Sequence, residues 1–116
     1  MPDWIKTFAA LLLAAVLEVG GDALVRHALR GANGLAARVT GFALGAIVLF
    51  VYSLSVNAPK WDFGRLLGVY IALFFVVAQV TAVLVFKETL KPPTFVAGLL
   101  ILAGGLVLTL WSGSAK

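Results

Sequence analysis

Two acids stand inside an apolar stretch near the start of the chain. Residues 8–26 read FAALLLAAVLEVGGDALVR and carry Glu18 and Asp22. The stretch is apolar enough to enter a bilayer, where an ionisable side chain at helix centre costs about 2.5–3.5 kcal/mol on insertion scales. A charge retained at that depth points to a functional site such as a proton relay or an ion pathway. Four residues apart, the two acids share one helix face, one turn from each other. That face is expected to line a polar cavity. A low-dielectric setting favours the neutral form of a carboxyl group. Glu18 is therefore expected to bind either a proton or a cation, each excluding the other; the alternative is a carboxyl held protonated and hydrogen-bonded between helices. A second subunit would bring a second Glu18 to the site, and the two would titrate as a coupled set. Asp22 either joins the site or forms an ion pair with Arg26, one turn onward. Tyr70 is the third candidate, offering a cation–π face or a hydrogen bond to Glu18; packing is its alternative.

The elements that must position these residues are set by composition. Of 116 residues, 62% are hydrophobic and 12% charged, about half the charge of an ordinary soluble domain. An all-α, four-transmembrane-helix protein forming a single membrane domain is predicted, because four spans of about 20 residues fill this length. The expected spans are 4–25, 36–56, 63–86 and 93–111. Gly31-Ala32-Asn33-Gly34 reads as a turn, and Pro92 and Pro93 suit the first turn of the last helix. Gly41 and Gly45 are four apart, which permits close helix approach, although glycine is common in membrane helices generally. Gly98 and Gly105 lie on one face of span 4 and suggest a packing surface. Gln79 is expected to bond between helices, and Arg65 to extend toward the interface. Trp4, Trp61 and Trp111 fall at expected interfaces as anchors.

Several functions are excluded or disfavoured. There is no cysteine and one histidine, His27, so thiolate chemistry is absent and a metal cluster is not expected. No nucleophile constellation or phosphate loop is present; Ala103-Gly104-Gly105 lies within an apolar span. Neither an enzyme nor a cofactor is expected. The net charge of +4 reflects Lys and Arg near span ends, and nucleic acid is not an expected partner. Glu18 to Asp22 makes a poor signal-peptide cleavage context, so the first span is expected to be retained.

The charges also bear on orientation. With four spans, one side holds Lys6, Lys60, Arg65 and Lys116, and the other Arg26, Arg30, Arg38, Lys87 and Lys91. Orientation follows a Lys/Arg excess on the cytoplasmic side, and four against five is almost none. Insertion both ways round is expected. Two oppositely oriented copies would then pair about an in-plane two-fold axis, as inverted repeats do in alternating-access transporters.

Taken in order, these features resemble the small multidrug resistance transporters of the drug/metabolite transporter superfamily. Ala15-Val16-Leu17-Glu18-Val19-Gly20-Gly21 is similar to that family's A-x-x-E-V-x-G region, and Arg26 stands where members carry a Lys. Phe86-Lys87-Glu88-Thr89-Leu90 resembles the F-K-E-x-L loop before the last helix. Gly98-Leu99-Leu100-Ile101 with Gly105 resembles the motif through which members dimerise. Two departures mark an atypical branch. In the stretch entering span 3, Leu67 and Tyr70 stand where members carry Tyr and Trp, and Asp22 replaces an uncharged residue. The resemblance implies a proton-coupled exporter of small cationic or polar compounds, working as a homodimer, or a heterodimer with a paralogue, in a bacterial or archaeal inner membrane. A lipid or lipid-linked carrier, and a non-transporting subunit of a paired complex, are the other readings.

Overall fold

A computed structural model gives the fold and describes residues 3–111. It contains four helices: α1 (Asp3–Arg30), α2 (Leu35–Val56), α3 (Phe63–Leu84) and α4 (Pro92–Leu110). Among the described residues there is no strand. All four helices are long and apolar enough to cross a bilayer. Large apolar side chains point outward on each, including Leu12, Phe50, Ile71 and Leu99. Lipid is the solvent that accepts such a surface, and a helix satisfies its own backbone there. The chain is thus built as a multi-pass membrane protein. Lys116, counted among the orientation charges, lies outside the described residues.

The helices divide into two compact units at Ala58–Pro59, α1 with α2 and α3 with α4. In the first unit, α1 is 28 residues long, about 42 Å at 1.5 Å per residue. It runs past the expected end at residue 25 and takes Arg26, His27 and Arg30 into its final turns. Cationic side chains suit a helix C-terminus, where the carbonyl ends carry partial negative charge. The helix closes where the Gly31 and Ala32 N–H groups both donate to the His27 carbonyl, at 2.8 and 2.9 Å. Gly34, at φ 88°, then turns the chain into α2; few side chains tolerate that left-handed conformation.

Small residues let α1 and α2 approach closely. A Cβ placed on Gly45 would stand 2.6 Å from Val25 Cγ2 and 3.2 Å from the Gly21 carbonyl. One on Gly41 would stand 2.7 Å from Ala28 Cβ. The Gly41/Gly45 pair therefore meets α1 directly, as small residues do at membrane helix interfaces. Arg38, in the first turns of α2, ties the end of α1: its Nε donates to the Ala28 carbonyl at 3.1 Å and a terminal nitrogen to the Leu29 carbonyl at 2.9 Å.

The second unit is built similarly. Pro92 and Pro93 open α4, where the missing N–H groups have no intrahelical partner to lose. Gly105 faces Ala72 Cβ and Gly98 faces the Phe75 ring. Within this chain, both glycines pack against α3. Arg65, expected to extend toward the interface, stacks over the Trp61 ring at 4.0 Å and donates from Nε to the Leu108 carbonyl at 3.3 Å. A guanidinium over an indole face is a favourable cation–π pair, and here it also closes the end of α4.

Candidate functional site

The glycine contacts fix the register of the α1–α2 pair. Ala28 faces Gly41, Val25 faces Gly45, and Gly21 faces Leu49. Each step moves three or four residues down α1 and four up α2, one helical turn apiece. One further turn brings Glu18 level with Tyr52. The structure makes this contact: the Tyr52 hydroxyl donates a hydrogen bond to the Glu18 carboxylate. Glu18 is half-buried, and Ala14 and Ala15, one turn below it, are fully buried. Asp22 stands one turn above Glu18, more exposed, and within electrostatic reach of Tyr52.

Two carboxylates and a phenol thus meet on one helix pair. A phenol O–H bonded to a carboxylate stabilises its charged form, and hydrogen bonds to ionised groups are roughly twice as strong as neutral ones. A cation arriving at Glu18 would find that oxygen partly engaged and Asp22 adding negative charge beside it. A proton arriving there would leave the carboxyl able to donate in turn.

The structure places the sequence candidates unevenly. Glu18 and Asp22 share the expected face. Tyr70 lies in the α3–α4 unit, buried, with its ring 6.0 Å from that of Phe74. The aromatic partner of Glu18 within the first unit is Tyr52 of α2. The signal that could have found it is the interhelical register, readable from Gly41, Gly45 and the short turn before them. Gln79 lines a groove between α3 and α4. Among the described residues, no three His, Asp or Glu side chains gather as metal ligands do.

The chain is 31% identical over 112 residues to a protein of Kineococcus radiotolerans described as a UPF0060 membrane protein. The match covers 95% of this chain and 96% of the relative. No protein-family model and no solved structure matches the chain. At that coverage the similarity takes in all four helices.

Proposed function

The chain belongs to the UPF0060 membrane protein family, and from that premise we infer a transporter that exchanges protons for small cationic or polar compounds. The observation that carries this reading is Glu18, an acid within an apolar helix, bonded to Tyr52 of the neighbouring helix. An ionisable residue inside a membrane helix marks a transport path by default. Glu18 is the group over which proton and cargo compete. Asp22, one turn away, raises the negative potential that attracts a cation. Tyr52 holds the carboxylate between visits and yields when a cargo displaces it. Release to one side at a time needs two conformations of the helix pairs. A second copy in the opposite orientation supplies the exchange symmetry and a second Glu18.

Proton-gradient-driven uptake into vesicles tests the proposal. Full-length protein is reconstituted, and a panel of organic ammonium and guanidinium cations is offered with and without an inward-acidic gradient. Wild type should accumulate at least one class of cation in a gradient-dependent way. Glu18→Gln should abolish that dependence, and Glu18→Asp should retain part of it. Gradient-driven accumulation by Glu18→Gln at the wild-type rate would rule the mechanism out.

A further inference from the structure

The α3–α4 unit holds an open groove of about 530 Å³, lined almost wholly by apolar side chains. That volume lies within the range of small-molecule sites, roughly 300–1,000 Å³. Phe75, Gln79 and Val83 form its α3 wall, Gly98 and Leu102 its α4 wall, and Leu90, just before α4, also lines it. From Phe75 to Leu84, its length is nine residues of helix, about 13.5 Å. The hydrocarbon core of a bilayer is about 30 Å thick, so the groove covers the depth of a single leaflet and stops. That length matches one acyl chain in a leaflet.

Leu90 sits in the turn between α3 and α4. There the chain turns through residues 85–91 before α4 begins, and Lys87 and Lys91 are both exposed in that turn. Lys87 sits at φ 58°, and the Glu88 N–H folds back to the Ala82 carbonyl at 3.0 Å, fixing the turn over the end of α3. Glu88, also exposed, offsets one of the two positive charges. A net positive turn at one end of a one-leaflet apolar groove complements a molecule with an anionic head and a hydrocarbon tail. We propose that this groove binds an anionic phospholipid, one acyl chain lying against Phe75 and Gly98 and the phosphate lying at Lys87 and Lys91.

Native mass spectrometry of delipidated full-length protein tests this. The protein is titrated with phosphatidylglycerol and with phosphatidylcholine of the same acyl chains. Wild type should retain one lipid per chain and prefer phosphatidylglycerol by about fivefold, the worth of one net positive charge near an anionic lipid surface. The double variant Lys87→Gln, Lys91→Gln should lose the preference yet still hold a lipid. Val80→Trp, which carries an indole into the groove from an exposed position, should lose the lipid altogether. The lysine pair lies in an exposed turn, so its variant reads out the headgroup contact even where Val80→Trp does not fold. Equal retention of the two lipids by wild type overturns the proposal, as does an undiminished preference in the lysine variant. A cross-link from position 99 to a second copy, with no lipid retained, overturns it as well. Glu18 plays no part in the readout, so failure here leaves the exchange site of α1 standing.

Discussion

Glu18 and Asp22 differ in setting although they share a face, and the difference predicts different consequences. Glu18 is half-buried and hydrogen-bonded to Tyr52, whereas Asp22 is exposed. Tyr52→Phe keeps the ring and removes only the donor. A hydrogen bond to a charged group contributes about 1.5–3 kcal/mol, so the apparent cation affinity should change by roughly tenfold or more. The concentration dependence of uptake measures it. Asp22→Asn removes a neighbouring charge but no hydrogen bond to the binding oxygen. Its effect should be smaller, because the charge acts through space from one turn away. An Asp22→Asn variant that fails as completely as Glu18→Gln would instead place Asp22 in direct contact with the cargo.

At the scale of the helix pair, the site depends on how closely α1 and α2 approach. Gly45→Leu would drive a side chain into Val25 and the Gly21 carbonyl. Overpacking of this kind costs about 1–3 kcal/mol, and it would lever Tyr52 away from Glu18. Thermal unfolding in detergent should show the loss, and the effects of Gly45→Leu and Tyr52→Phe on uptake should fail to add. Gly20→Ala is the control. Nothing lies within 4 Å of a Cβ there, and Ala is the better helix former by about 0.8–1.0 kcal/mol, so the variant should unfold no earlier than wild type. The same contrast shows how far the sequence carries. Four apolar runs, the turn at residues 31–34 and the two acids on one face are local features, written in residue type and spacing. The partnership of Glu18 with Tyr52 is not local. It follows from a register that three small-residue contacts set, and no single residue type announces it. Tyr70 is a candidate by residue type alone, because an aromatic face can meet a cation. Arg65 was expected to extend toward the interface because a sequence does not show the Leu108 carbonyl or the Trp61 ring that hold it. Gly98 and Gly105 are visible as a small-residue face, but the face itself does not say whether α3 or a second subunit covers it.

For the molecule as a whole, orientation in the bilayer decides whether antiparallel pairing is available at all. The Lys and Arg residues divide five against four between the two sides. With so little excess, a reporter fused to the C-terminus should give signals from both sides of the membrane. Two added lysines should break the tie. Ala32→Lys with Asn33→Lys adds to the loop between α1 and α2, making seven against four, and should fix that loop in the cytoplasm. Ala58→Lys with Asp62→Lys adds to the loop between α2 and α3, making five against six, and should favour the reverse. Neither pair touches Glu18, Tyr52 or the glycine contacts between the helices. If exchange needs two oppositely oriented copies, each biased variant alone should lose most gradient-driven uptake, and expressing both together should restore it. Full activity from one fixed orientation would leave Glu18 as the exchange site but would assign transport to a parallel or single-copy arrangement.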